Sequence, residues 1–147
     1  MPETIGNPFF ILAVRSIVPV GTNKKVKEHM LKISPKLNFL LCSNPEFSRQ
    51  GSAIYDFMNP DRIIVGVGDE KSKEKMSSVY KPLNDKGFPI FFTNIGTAEM
   101  IKYSSNTFLN IKNGFINEIC DICEKTGANV NDITKLWEWI KEFLHFF

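Results

Sequence analysis

The chain has 147 residues, 43% of them hydrophobic, enough to bury a core and to hold one domain or pieces of two. The formal net charge is +2 and the lysines are scattered, with no basic stripe interleaved with aromatics, which sets nucleic acid aside as a partner. No apolar run approaches the ~18 residues of a membrane span, and the start does not read as a secretory signal, so a cytoplasmic chain without a membrane span is expected.

Met1 to Pro8 reads as irregular, broken by Gly6 and Pro8. Phe9 to Val14 is a continuous apolar run, the pattern of a strand buried on both faces. Pro19 and Gly21 end it, and Thr22 is placed to cap a helix with Val26, Met30 and Ile33 on one face and lysines on the other. Pro35 stops that helix, and Leu37 to Cys42 reads as a second buried strand. Asn44-Pro45 then breaks the strand, because proline has no N–H for a ladder and fixes its own φ. A short loop follows with Glu46, Arg49 and Gln50, then Gly51, Ser52 and a helical turn. Charge on a flexible backbone just past a strand end is where open α/β sheets bind ligands, although the same pattern also describes a solvated connection.

Asn59 to Arg62 is a turn, and Ile63 to Val67 a third strand. Asp69-Glu70 opens a polar helix to about Tyr80, with Met76 and Val79 facing inward. Gly87 precedes a fourth strand, Phe88 to Thr93. Thr97 is placed to cap a helix running to Gly127, with Ile101, Phe108, Leu109, Phe115, Ile116, Ile119 and Ile122 at helical spacings. About 30 residues at 1.5 Å each span roughly 45 Å, more than one side of a small domain covers, so this helix is expected to link domains or support a dimer. A last helix covers Asn131 to Phe147, with Leu136, Trp139, Ile140 and Phe143 on one face.

The alternation of strand and helix defines an α/β fold with an incomplete parallel sheet and helices on its faces. Cys42, Cys120 and Cys123 read as reduced thiols. Cys120 and Cys123 form a CxxC inside a helical segment with no second ligand pair, which speaks against zinc, and no metal site is expected. Gly66-Val67-Gly68 lacks the third glycine of a dinucleotide fingerprint.

Three blocks carry a resemblance: SIVPVGT at 16–22, NPEFSRQGSAIYDFMNPDRIIVG at 44–66, and AEMIKYSSN at 98–106 continuing through Phe115-Ile116-Asn117-Glu118. In this order and spacing they resemble the UDP-glucose 6-dehydrogenase family of nucleotide-sugar dehydrogenases, over roughly Phe10 to Asp132. The resemblance implies a partial Rossmann-like sheet: residues 1–94 as the last part of an NAD-binding domain, 95–132 as the start of a central, dimer-forming helical domain, and 133–147 as a tail unlike the family. It also implies a chemistry, in which UDP-glucose is oxidised to UDP-glucuronate by two hydride transfers to NAD through a thiohemiacetal on a cysteine. Glu46 then becomes the candidate general acid/base, while Glu46, Phe47, Ser48, Arg49, Gln50 and Lys102 become substrate-binding candidates. Lys102 and Asn106, an i, i+4 pair on one helix face, become candidates for holding a water and steadying an oxyanion.

The departures are specific. Ile17 stands where the family has a threonine near the nicotinamide, and Gln50 where it has a second carboxylate, so the cofactor-contacting positions Ile17 and Gln50 both lack the usual group. No strand–GxGxxG–helix unit and no Cys-x-Pro-Lys-Asp segment occur in the sequence. The expectation is therefore an internal piece of the enzyme, inactive alone, without tight NAD binding. GDP-mannose or a UDP-N-acetylated sugar remains open as the substrate. A homodimer through the long helix, a complementing chain of a split enzyme, and a non-catalytic nucleotide-sugar-binding module are the further readings.

Overall fold

The computed structural model describes residues 9–137, which divide into two compact units between Ser105 and Asn106. Each is described by itself.

In the first unit β1 (Phe10–Val14) and β2 (Phe39–Ser43) pair in parallel, from Phe10 opposite Phe39 to Val14 opposite Ser43. β3 (Ile63–Val67) and β4 (Ile90–Asn94) also pair in parallel, from Ile63 opposite Ile90 to Val67 opposite Asn94. The sheet order is β1-β2-β3-β4. The two pairs meet at an antiparallel seam with one register pair, Ser43 and Gly66. The sheet is thus parallel within each half, and the seam departs from a uniformly parallel arrangement.

The connectors differ in the length of the helix each carries. A five-residue strand is about 17 Å long, so a helix must cover about that distance to return the chain for parallel pairing. α1 (Thr22–Ile33) has 12 residues and α3 (Glu70–Asn84) has 15, and both are long enough. α2 (Ala53–Met58), the only helix between β2 and β3, has 6 residues and rises only about 9 Å.

The inner strands β2 and β3 are buried almost throughout, and the core gathers Cys42, Ile63, Val65, Met76, Tyr80 and Leu83 under α3. Each large apolar side chain so buried contributes about 1.5–3 kcal/mol. β1 was expected to be buried on both faces, but it is half-exposed because it stands at the sheet edge. Val79 is 61% exposed, and its neighbour Tyr80 takes the inward position on α3 beside Met76.

Of the helix starts, that of α3 falls where Asp69-Glu70 marks it, and those of α1 and the long helix differ from expectation. Asp69 caps α3, its carboxylate accepting from Ser72 N–H at 2.7 Å. Thr22 does not cap α1; its hydroxyl donates to the Pro19 carbonyl at 2.6 Å. Nor does Thr97 cap α4 (Ile95–Thr126): the Asn94 side-chain oxygen accepts from Thr97 N–H at 2.8 Å, so the helix begins three residues earlier. The start of α4 lies directly on β3. A Cβ on Gly66 would come within 2.7 Å of Ala98 Cβ and 2.8 Å of Ile95 Cα, so only glycine allows this approach.

The second unit holds most of α4 and α5 (Val130–Trp137). α4 stops where expected: Gly127 has φ +76° and its N–H donates to the Cys123 carbonyl at 2.8 Å, a left-handed cap. Phe115 stacks on Trp137 with ring centroids 5.4 Å apart. The expected last helix begins at Val130, while Trp139, Ile140, Phe143 and the rest of the tail lie outside the described residues, as does Met1 to Pro8.

Candidate functional site

β1 and β2 run in parallel, so the segments that leave their C-terminal ends emerge on one edge of the sheet. Arg15 starts the first segment and Asn44 the second, and the two side chains meet. Arg15 Nη1 donates to Tyr80 OH at 3.2 Å and to Asn44 Oδ1 at 3.5 Å, and Tyr80 OH donates to the same Asn44 oxygen. Asn44 turns its amide the other way and donates to the Ile64 carbonyl at 2.9 Å. The root of the loop is therefore held by a buried polar cluster with its partners in place.

On that root stands Glu46. Its carboxylate lies 3.5 Å from Arg15 Nη2, and the guanidinium also stacks on the Phe57 ring, 5.0 Å from its centroid. This geometry orients the Glu46 carboxylate while leaving it half-exposed to an incoming group. Phe47, next in the chain, lies under two cations: Arg62 at 4.6 Å and Lys102 at 4.7 Å from the ring centroid. Lys102 is 9% exposed, and among the described residues its ammonium makes no ion pair. Burial pushes its pKa below the usual value; Glu46 opposes that shift and Arg62 adds to it. The result is a desolvated cation within electrostatic reach of the Glu46 carboxylate, with an aromatic face as its packing partner, an arrangement suited to meeting developing negative charge.

Ser48 and Arg49 continue the loop along a cavity of about 330 Å³ that Arg15, Glu46, Phe47 and Arg62 also line. Arg49 grips Asp56 bidentately, with Nε donating at 3.1 Å and Nη2 at 2.7 Å, while Arg49 N–H donates to the same carboxylate at 2.8 Å. Ser52 Oγ donates as well, at 3.0 Å. These bonds hold the Asp56 carboxyl well below the usual carboxylate range, the Arg49 side chain contributing most. Arg49 is thus engaged in closing its own loop.

The remaining sequence candidates are dispersed. Gln50 is exposed and does not line the cavity, and Ile17, 53% exposed, sits in the segment after β1. Asn106 belongs to the second unit, one turn along α4 from Lys102. Among the described residues no group of three or more His, Cys, Asp or Glu could hold a metal ion, and no helix is long and apolar enough to cross a membrane. Cys42 is fully buried in the core, and burial pushes its thiol up.

Sequence reasoning missed four residues that build the site: Arg15, Arg62, Tyr80 and Glu99. Arg15 had a readable signal, a cation directly after a strand of the parallel pair. Glu99 had a misleading one. Its place in the first turn suits the dipole of its own helix, yet its carboxylate serves a different helix. Glu99 Oε2 accepts from Gly21 N–H at 2.7 Å, and Oε1 accepts from Asn23 N–H at 2.8 Å and Asn23 Nδ2 at 2.7 Å. That fills the N-terminus of α1 with a carboxylate from α4, three residues before Lys102.

A parallel strand–helix–strand unit with its charged loops gathered at the strand C-terminal ends is an α/β unit of Rossmann type. Residues 3–84 match the UDP-glucose/GDP-mannose dehydrogenase family NAD binding domain, and residues 96–145 match that family's central domain. A UDP-glucose 6-dehydrogenase from Rhizobium meliloti is 46% identical over 129 residues, covering 86% of this chain and 30% of the relative. Among solved structures, a UDP-glucose dehydrogenase from Pyrobaculum islandicum superposes with a TM-score of 0.85 at 33% identity, over 91% of this chain and 31% of that one. A GDP-mannose dehydrogenase from Pseudomonas aeruginosa superposes at 0.81 with 29% identity, over 90% of this chain and 30% of that one. The chain belongs to the UDP-glucose/GDP-mannose dehydrogenase family. It spans about 30% of the length of the curated relatives it matches.

Proposed function

We propose that this chain carries the sugar-binding edge of a cytoplasmic, NAD-dependent UDP-glucose 6-dehydrogenase, and that it does not complete the reaction by itself. The observation that carries this reading is the buried Lys102 ammonium on the Phe47 ring beside Glu46, within the loop that begins Asn44-Pro45. In this reading Lys102 binds the oxygen of the sugar carbon being oxidised and steadies its negative charge. Glu46, oriented by Arg15, exchanges the proton. Phe47 and Ser48 form the bed of the nucleotide sugar, and Arg49 shapes that bed through Asp56.

NAD, when bound, supplies the hydride acceptor. Ile17 and Gln50, both exposed in segments that follow the parallel strands, would meet its edge. The N-terminus of α1, the usual place for a phosphate in such a unit, is filled by Glu99, so within this chain the fit to NAD is limited to that rim. The first unit's cysteine, Cys42, is sealed in the core, which supports the absence of a covalent aldehyde-to-acid step in this chain alone. Exposed Leu109, Ile111 and Phe115 on α4 support a homodimer or a complementing chain in the second unit.

Calorimetric titration of the purified chain with UDP-glucose tests the reading. Binding that Lys102→Ala weakens tenfold or more, about 1.4 kcal/mol, is expected. No heat at millimolar ligand would overturn it. GDP-mannose in place of UDP-glucose separates the two substrates.

A further inference from the structure

The contact of two cations with one ring has a consequence for the candidate site. Phe47 follows Glu46 directly, so its ring and the Glu46 carboxylate share one stretch of backbone. Arg62 closes the turn before β3 and approaches the ring to 4.6 Å from its centroid. Lys102 comes from α4 and approaches the same ring to 4.7 Å. Among the described residues neither cation forms an ion pair, and Glu46 pairs with Arg15. The ring is therefore a packing partner shared by both.

We propose that Arg62 is a positioning residue: by gripping the Phe47 ring it sets where the Lys102 ammonium rests beside Glu46. The purpose of that positioning rests on the reading of Lys102 as the group that meets the sugar oxygen.

The physical case is one of geometry and cost. Lys102 has a flexible four-carbon stem and no ion pair, so its head group takes its place from what it packs against. An aromatic face attracts a cation by about 0.5–2 kcal/mol, more as water is removed, and Lys102 is 9% exposed. That attraction fixes a position only if the ring is itself fixed. A half-buried ring on a loop flanked by Pro45 and Gly51 needs a second restraint, and the Arg62 guanidinium, 4.6 Å from the ring centroid, provides it. Two like charges on one ring also repel, and their attraction to the negative π surface of the ring offsets part of that repulsion. Arg62 thereby acts on Lys102 in two ways, through the ring and through its charge, and Glu46 is the opposing charge.

The test is side-chain NMR of the chain with isotope-labelled lysine, the Lys102 signal assigned by its loss in Lys102→Met. The Phe47 ring current displaces the Lys102 ε-methylene upfield in the unaltered protein. Arg62→Gln is expected to reduce that displacement to about half or less and to move the Lys102 titration midpoint upward, because a neighbouring positive charge is gone. Arg62→Lys is expected to restore most of the displacement. Phe47→Leu removes it outright, and in that background Arg62→Gln should displace the resonance no further. An unchanged ring-current displacement in Arg62→Gln with a native amide spectrum overturns the proposal. So does an equal response to Arg62→Gln with and without the ring, which also decides the matter if the single variant folds poorly. UDP-glucose binding measured on the same unaltered sample fails independently: no binding with the ring-current response intact would sink the sugar-site reading and leave the positioning of Lys102 standing.

Discussion

Glu99 is the residue whose removal is expected to do most damage for its size. It is 3% exposed and accepts three hydrogen bonds, from Gly21 N–H, Asn23 N–H and Asn23 Nδ2, at 2.7–2.8 Å. Glu99→Ala leaves all three donors without an acceptor at the start of a 12-residue helix. Each buried donor left unmet costs about 1–3 kcal/mol, and loss of a carboxylate from a helix N-terminus removes roughly another 0.3–1 kcal/mol. Water entering the vacated space recovers part, so the expected net loss is about 3–4 kcal/mol. Glu99→Gln keeps the shape and one oxygen but sets an N–H of its own against a backbone donor, with an expected loss of about 2 kcal/mol. Urea unfolding followed by circular dichroism measures both, the change in midpoint at constant slope giving the loss. A Glu99→Ala variant within about 0.5 kcal/mol of the unaltered chain, the range of an ordinary surface substitution, would refute the view that this carboxylate is the cap of α1.

Gly66→Ala is expected to lower stability by about 1–3 kcal/mol, because the added methyl meets Ala98 Cβ at 2.7 Å and backbone at 2.8 Å; a thermal melt at or above that of the unaltered chain would contradict the close approach of α4 to β3. Arg49→Ala is expected to return the Asp56 carboxyl toward its usual value of 3.8. The sign follows from linkage: Asp56 is depressed in the folded state, so its contribution is present above about pH 3.8 and is lost as pH falls through the folded value. Arg49→Ala should therefore lower stability above about pH 4 and flatten the acid limb below it, the two proteins converging as pH falls, and an Asp56 NMR titration identical in the two proteins would rule this out.

How much of this was legible before the structure depends on the range of the interaction. β3 falls on the residues its apolar run marks, and β2 differs by two residues at its start and one at its end, because a buried strand is announced by composition alone. The stop of α4 at Gly127 was readable for the same local reason. The starts of α1 and α4 were not, although that of α3 at Asp69-Glu70 was. Thr22 and Thr97 have the chemistry of caps, but the groups that satisfy those N–H donors are Glu99, more than seventy residues away, and Asn94. The inward turn of Tyr80 in place of Val79 depends on Asn44 and Arg15 reaching the hydroxyl, which periodicity does not encode. At the candidate site the loop itself was visible, as was Lys102. The partners that orient them, Arg15 and Arg62, come from other elements and appear only when the chain is folded.

The antiparallel seam gives Asn44 an unusual share of the architecture. Everywhere else in the sheet, pairing is written in backbone atoms that every residue type possesses, and substitution leaves the message intact. At the seam the backbone offers one register pair, and the next bond across it runs from the Asn44 amide to the Ile64 carbonyl. There the joining of the two half-sheets is written in a side chain. Aspartate presents an acceptor where a donor is needed, and an aliphatic residue presents nothing. Position 44 is thus a place where a single codon edits sheet connectivity, and it is the same position from which the candidate binding loop departs.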